Sequence, residues 1–118
     1  MSVQARLRYF LAGLVVGVLL LNVGLGKANA YAKAKHVVYS VFPPATAPAA
    51  LRVVGCETGH TYSPRAHNRS GASGYFQVIA RRYPWVTPWR LFEPWYNARV
   101  ALQISHGGTT WDAWECKP

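Results

Sequence analysis

Two cysteines, Cys56 and Cys116, enclose nearly all of the C-terminal half of this 118-residue chain. A chain of this length forms one small domain, and an even cysteine count in a small exported domain is typical of a disulfide. A bridge between them would close a loop of about 60 residues and stabilise the fold by about 4 kcal/mol on the loop-entropy model. The alternatives are a pair of free buried thiols or a metal site, and the lack of a CxxC spacing disfavours zinc.

The N-terminus has the order of an export signal. Two arginines precede an uncharged apolar run over 10–26, and a lysine and a small-x-small sequence, Ala-Asn-Ala at 28–30, follow it. This order predicts a signal peptide over residues 1–30 that is cleaved after Ala30, or else a retained N-terminal membrane anchor. Both interpretations export the remaining chain, so we predict a secreted or cell-envelope protein.

The exported part of the chain is basic. From Tyr31 onward it holds ten Lys and Arg residues against four Asp and Glu residues, a net charge of +6. Such a surface attracts polyanions. The basic residues are spread singly rather than in a block, and export keeps the chain away from cytoplasmic nucleic acid. We therefore predict no nucleic-acid partner and a bias toward an anionic cell envelope.

Residues 31–47 have the composition of a linker. Short apolar and polar residues alternate without a long apolar run, and Pro43 and Pro44 interrupt regular structure. His36 is interpreted as a solvated residue of this linker. The folded domain is then predicted over residues 48–118.

Two helices are predicted in this domain. The first begins at Pro48, has apolar residues at helical spacing and ends at Gly59, so that Glu57 lies in its last turn. The second covers 94–105, where Pro94 begins the helix and a Gly-Gly pair follows it. Strand signals are few. We therefore predict a mainly helical domain.

Glu57 is the candidate catalytic residue because of its place at the end of a helix. The negative end of the helix dipole lies there, and this field and burial both raise the pKa of a carboxyl group. A general acid needs such a raised pKa, whereas a structural carboxylate is better placed elsewhere. The alternative is a structural ion pair of Glu57 with Arg52 or Arg65.

A turn-rich stretch follows the first helix. Residues 60–74 carry Ser-Pro, Asn and two Ser-Gly or Ala-Ser-Gly turns without periodic apolar residues, and they lead into the sequence GASGYFQ at 71–77. This run is either a plain turn or the floor of a sugar-binding groove. Four aromatic side chains are interpreted as core residues or as stacking faces for sugars: Tyr62, Trp85, Trp89 and Trp95.

With CETG, SGASGYFQ, YNARVALQI and GGTTWDAWEC in this order, the chain resembles the lysozyme-like superfamily. Within it, the resemblance is to the transglycosylase-like domains of soluble lytic transglycosylases and of small secreted proteins of actinobacteria and their phages. The similarity covers residues 49–116. It implies a mainly α (α+β lysozyme-like) fold with a Gly-rich loop or short hairpin, and a disulfide between Cys56 and Cys116.

The resemblance also implies a site. Family members carry a catalytic Glu at a helix end, followed by Ser and Gly, which matches Glu57, Thr58 and Gly59. We expect no cofactor and no metal, since the His residues are too scattered for a metal triad. The substrate-binding residues that the resemblance implies are Thr58, Asn68, Gly74, Tyr75, Gln77 and Asn97.

The activity that the resemblance implies is lytic cleavage of peptidoglycan by a monomer, with glycan strands as the partner. Glu57 would protonate the β-1,4 bond between MurNAc and GlcNAc, and the substrate's own acetamido group would replace a second carboxylate, leaving a 1,6-anhydroMurNAc end. The other carboxylates, Glu93, Asp112 and Glu115, are interpreted as helix-start or surface charges. A hydrolytic muramidase and a non-catalytic wall-binding module are the alternatives.

Overall fold

The computed structural model of this protein describes residues 26–118, and they form three α-helices, a two-stranded antiparallel sheet and two 3-10 helices. The coarse prediction of a small, mainly helical domain with a short hairpin and one disulfide is confirmed. The elements follow in the order α1 (26–41), α2 (Ala47–Glu57), β1 (Ala72–Ser73), β2 (Val78–Ile79) and α3 (Pro94–Ile104), with 3-10 helices at Ala80–Arg82 and Pro88–Phe92.

Helix α1 covers most of the predicted linker over 31–47 and packs into the core, so the linker prediction is wrong. Its residues Ala34, Val37 and Val38 are at most 1% exposed, and they pack into the core together with Phe42. These apolar positions have the i, i+3, i+4 spacing of a helix face. The sequence signal for this helix is weak, because the side chains are short and lysines lie among them. The helix ends before Pro43, as expected from the missing N–H of proline and its clash with a preceding turn.

The predicted signal peptide falls largely outside the described residues. Its cleavage position, after Ala30, lies within α1. Among residues 26–118 no helix has both the length and the hydropathy that a membrane crossing requires. Cleavage after Ala30 and a retained anchor therefore both stay predictions.

Helix α2 confirms the predicted first helix. Pro48 lies in its first turn, and Leu51, Val53 and Val54 are buried on its inner face. The helix ends in a Schellman motif, in which the His60 N–H donates to the Gly55 carbonyl at 2.7 Å and the Gly59 N–H donates to the Cys56 carbonyl at 3.2 Å. Gly59 adopts the left-handed φ of 60° that this motif requires. Glu57 is therefore the last residue of the helix, as predicted.

The core is centred on Phe76, which lies in the turn between β1 and β2. Its ring packs 5.5 Å from Phe42 and 6.1 Å from Trp111, between ring centroids. Trp114 lies against the same cluster and donates its indole N–H to the Phe76 carbonyl at 2.6 Å. The aromatic cluster thus joins α1, the hairpin and the C-terminal tail, and it positions the tail beside the end of α2.

Helix α3 confirms the predicted second helix, which begins at Pro94 and ends at Ile104. Ser105 caps its C-terminus, and His106 takes the left-handed conformation with a φ of 50°. The Gly-Gly pair lies beyond that position. Gly107 accepts a 2.7 Å hydrogen bond from the Thr46 hydroxyl, which ties the end of α3 to the α1–α2 junction.

Candidate functional site

Glu57 lies beside the disulfide that joins α2 to the C-terminal tail. The predicted bridge between Cys56 and Cys116 is present, with a Cα–Cα distance of 5.9 Å. The Cys116 backbone N–H donates a hydrogen bond of 3.3 Å to Oε1 of Glu57. The covalent link therefore keeps a backbone donor and the neighbouring charges of the tail next to this carboxyl group.

The surroundings of Glu57 raise its pKa, in the direction predicted from the sequence. Burial of the carboxyl group is the largest cause, since it disfavours the charged form. The Cys116 N–H opposes this shift because it donates to the carboxylate, the negative charge of Glu115 adds to it, and the positive charge of Lys117 again opposes it. Glu57 keeps its proton to a higher pH than an exposed glutamate does, as a general acid must.

A surface groove passes Glu57. It consists of two recesses that share Glu57, Asn68 and Gln77 in their lining, a narrow one of about 140 Å³ and a wide one of about 480 Å³. Arg82 and Trp114 line the narrow recess, together with Glu115. The further lining residues of the wide recess are Thr58, Thr61, Ser63, Arg65, Ala66 and His67.

Gln77 and Asn68 line both recesses beside Glu57, and their predicted role in substrate binding stays a prediction. The Gln77 side chain donates to the carbonyls of Ala66 at 2.8 Å and Gly74 at 2.9 Å. Its carbonyl oxygen accepts no hydrogen bond within residues 26–118, so it remains a candidate acceptor for a ligand. Asn68 Oδ1 accepts from the backbone N–H of Ser70 at 2.9 Å, which shapes the turn, and its side chain is exposed on the groove.

Asn97 does not lie in the groove, so its predicted role in direct substrate binding is wrong. The side chain is fully buried, and its amide oxygen accepts from the Phe76 N–H at 2.9 Å. Its amide nitrogen donates to the carbonyls of Ser73 and Leu91, each at 2.9 Å. All these bonds hold the hairpin turn against α3 and the second 3-10 helix, so Asn97 supports the groove floor from below.

Gly74 and Tyr75 also face the interior rather than a ligand. A Cβ at Gly74 would overlap the Asn97 amide and the Leu91 carbonyl, so this glycine permits a close approach of protein to protein and not of protein to glycan. Tyr75 is 1% exposed, and it therefore offers no stacking face. Its hydroxyl group finds no hydrogen-bond partner within the described part of the chain. The predicted substrate contacts of both residues are wrong.

Thr58 contributes to the wall of the wide recess, but its hydroxyl group is already used. Its Oγ1 donates to the Val54 carbonyl at 2.8 Å and accepts from the Tyr62 N–H at 3.0 Å. The side chain is 7% exposed. Thr58 therefore caps α2 and orients the chain beyond Glu57, while the exposed polar atoms of the groove come from other residues.

The other three carboxylates of residues 26–118 lie in different environments. Glu93 forms an exposed ion pair with Arg90 at 3.6 Å, and Asp112 accepts a hydrogen bond of 3.2 Å from Thr110. Neither lines the two recesses. Glu115 lies on the narrow recess with Glu57. Within residues 26–118, Glu57 forms no ion pair, which removes the structural interpretation with Arg52 or Arg65 as its partner.

Sequence reasoning assigned no role in the groove to Arg82, Trp114 or His67. Arg82 lies at the end of the 3-10 helix that follows β2, and the tail brings Trp114 to the same recess. Neither residue lies near Glu57 in the sequence, and the resemblance implies no role beside Glu57 for either of them. Only the hairpin and the disulfide bring them together.

Gly74 provides a test of how the groove floor is supported. We expect Gly74→Ala to lower the free energy of unfolding by about 3 kcal/mol, since an Ala there combines a left-handed conformation with overlap of buried groups. The matched control is Gly107→Ala, because Gly107 has the same φ of 78° but open space around its Cβ position. Denaturant titration of both variants measures the difference. Equal losses in the two variants would contradict the packing role of Gly74.

Comparisons with known proteins add no family to this description: no protein-family model, no curated protein and no solved structure matches the chain. The resemblance to the lysozyme-like superfamily therefore stays a prediction. Within the described residues no cluster of His, Cys, Asp and Glu is arranged to hold a metal ion.

Proposed function

We propose that this protein is a peptidoglycan lytic transglycosylase of the cell envelope, in which Glu57 is the catalytic acid and base. One observation carries the proposal: Glu57 is a partly buried carboxyl group with a raised pKa at the junction of two recesses. A polymer that lies along both recesses places an internal bond, rather than an end, beside this proton donor. The disulfide agrees with export but does not establish it.

The reaction needs one carboxyl group if the substrate supplies the nucleophile. Glu57 protonates the bridging oxygen while the acetamido oxygen of the MurNAc ring attacks its anomeric carbon, so that the glycosidic bond breaks and a cyclic intermediate forms. The 6-hydroxyl of the same ring then attacks the anomeric carbon and displaces the acetamido oxygen. Glu57 accepts the hydroxyl proton and returns to its starting state. No water enters, and the product has a 1,6-anhydro end.

The shortage of carboxylates in the groove favours this route. Glu93 and Asp112 have partners elsewhere on the surface and do not line either recess. The two-carboxylate mechanisms need a second carboxylate across the scissile bond, at about 5–9.5 Å from the first. Glu115 is the one further carboxylate on the recesses, and it belongs to the same tail that donates a hydrogen bond to Glu57.

The position of Glu115 on the narrow recess, together with Glu57, favours a second candidate function. If it activates a water molecule, the same groove acts as a hydrolytic muramidase with Glu57 as its acid. Glu115→Gln separates the two proposals. A transglycosylase keeps its rate in this variant within a few-fold, whereas a hydrolase that uses Glu115 as its base loses about 100-fold or more.

Digestion of purified peptidoglycan and mass spectrometry of the soluble products tests the proposal. We expect 1,6-anhydro ends, each one water lighter than the matching reducing end. Reducing ends as the main product would contradict the transglycosylase proposal and support the muramidase. The absence of soluble fragments, with binding to the wall retained, would leave a non-catalytic wall-binding module.

A further inference from the structure

The tryptophans of this chain fall into two groups by exposure. Trp111 and Trp114 are buried in the aromatic core at 7% and 6% exposure. Trp85, Trp89 and Trp95 are 52%, 75% and 36% exposed, and they come from one short segment around the second 3-10 helix. A single exposed aromatic residue is common on protein surfaces. Exposure alone therefore indicates no function for these side chains. Their arrangement relative to one another and to the groove is the informative feature.

Trp89 and Phe92 share one face of the 3-10 helix Pro88–Phe92. Side chains three residues apart are eclipsed in a 3-10 helix, with a separation along the axis of about 6 Å. Phe92 is 39% exposed, so both rings of this face are open to solvent. We call Trp89 and Phe92 the aromatic ledge.

The helix that carries the aromatic ledge is held firmly. Leu91, which lies between Trp89 and Phe92 in the sequence, is 1% exposed, and its carbonyl accepts a hydrogen bond from the Asn97 amide. Arg90 lies over the ring of Tyr96 at 4.1 Å and pairs with Glu93. Contacts with the rest of the domain thus hold Leu91 and Arg90 in place, so the aromatic ledge is a rigid, preformed surface.

The aromatic ledge continues the wall of the groove. The ring of Phe92 contacts the ring of His67 edge to face, with 6.3 Å between centroids. His67 lines the wide recess, which also contains Glu57. A chain-like ligand that leaves the groove past His67 therefore meets Phe92 and then Trp89.

We propose that the aromatic ledge is an accessory subsite that stacks on pyranose rings of a long glycan strand, outside the part of the groove where Glu57 acts. This inference rests on the proposed function, since it takes a glycan to be the ligand. The C–H faces of a pyranose ring carry partial positive charge, and they pack on the negative face of an aromatic ring. A spacing of about 6 Å along the 3-10 helix is near the length of one sugar unit.

The surroundings of the aromatic ledge fit a glycan better than a lipid surface. The side chains of Arg90 and Glu93, next to the two rings, are 40% and 49% exposed. A face that enters a bilayer has to bury such charges or displace them, and the Glu93 carboxylate is repelled by anionic headgroups. A glycan, which has C–H faces and hydroxyl groups, can bind beside these charges without burying them and without repelling the Glu93 carboxylate.

The test uses the full chain carrying Glu57→Gln, so that cleavage does not remove the ligand during binding. We expect Trp89→Ala in this background to weaken binding to insoluble peptidoglycan by about 5-fold, and Phe92→Ala to have a smaller effect in the same direction. Binding of a soluble disaccharide-length fragment should not change, because such a fragment does not reach the ledge. Circular dichroism and thermal unfolding verify that the variants are folded, as expected for an exposed side chain.

Trp85→Ala is the matched control. Trp85 is also an exposed tryptophan, but its ring packs on Tyr83 at 5.9 Å and lies outside the 3-10 helix. Unchanged peptidoglycan binding in Trp89→Ala, or an equal loss in Trp85→Ala, would overturn the proposal. So would binding to anionic phospholipid vesicles that depends on Trp89 while peptidoglycan binding does not.

The outcome also distinguishes this inference from the proposed function. If the unmutated chain releases no fragments but its binding to peptidoglycan depends on Trp89, the transglycosylase proposal fails and the aromatic ledge stands. If the chain releases anhydro products and Trp89→Ala binds long strands normally, the ledge fails and the proposed function stands.

Discussion

Glu57→Gln is expected to lower the release of soluble peptidoglycan fragments by at least about 100-fold, since general acid–base catalysis contributes about 10²–10⁴ to a rate. Glutamine has nearly the same shape as glutamate, and its carbonyl oxygen can still accept the hydrogen bond from the Cys116 N–H. It has no proton to transfer at neutral pH. The loss should therefore fall on the rate of cleavage, measured by fragment release, and not on binding to the wall.

The control for this variant is Glu93→Gln, which removes an exposed carboxylate that lies away from both recesses. We expect its activity to match that of the unmutated chain. Fragment release that persists in Glu57→Gln would show that another group donates the proton. A loss of the same size in Glu93→Gln would show that the effect comes from charge or folding and not from the groove.

Glu57→Gln also tests how the raised pKa of this carboxyl group affects the free energy of unfolding. Burial raises the pKa of Glu57 above that of the same carboxyl group in the unfolded chain. The folded state is therefore favoured most below the unfolded pKa, and this contribution is lost as the pH rises through the folded pKa. At neutral pH we expect the Gln variant to be at least as stable as the unmutated chain, with the difference closing on acidification, as denaturant titration at two pH values would measure.

Removal of the disulfide is expected to have the largest effect on stability. The link spans 60 residues, so Cys56→Ser with Cys116→Ser should lower the free energy of unfolding by about 4 kcal/mol on the loop-entropy model. Cys56 is exposed, so a reducing agent should produce the same change in the unmutated chain. Denaturant titration with and without reductant measures it, and the double variant is the control that should not respond to reductant.

The same change should lower activity under conditions in which the domain remains folded. Trp114 is still held by its hydrogen bond to the Phe76 carbonyl, so most of the tail keeps its place. The Cys116 N–H is then free to leave Glu57 together with the neighbouring Glu115 charge, whereas the Lys117 ammonium still donates to the Trp111 carbonyl at 2.9 Å. Fragment release well below the unfolding temperature reports this effect. A reduced, folded protein with full activity would show that the bridge serves stability alone.

The predictions from the sequence succeeded where the signal is local. Pro48 and Gly59 bracket α2, and Pro94 begins α3, because a proline in the first turn and a left-handed residue after the last turn act within a few residues. The disulfide was predicted from the cysteine count, the predicted export and the resemblance. Its position then placed the tail beside Glu57.

The predictions failed where packing decides which way a side chain faces. Tyr75 and Asn97 belong to polar or aromatic types that often bind sugars, yet both are buried, since the hairpin turn folds onto α3. The mixture of short apolar and polar residues over 31–47, followed by prolines, indicated a linker and not a core element. In the fold, Val37 and Val38 belong to the same buried cluster as Phe76, Trp111 and the inner face of α2.

The amino-acid sequence by itself indicated that α2 and α3 start near Pro48 and Pro94, that Glu57 lies at the end of α2 and that the two cysteines form a disulfide, because each of these features depends on local geometry or on a count. Only the tertiary structure decided that α1 joins the core, that Asn97 supports the groove, that Trp89 and Phe92 face solvent and that Phe92 lies beside His67. The physical reason is burial: whether a side chain meets water or protein depends on residues far away in the chain, which the fold alone brings together.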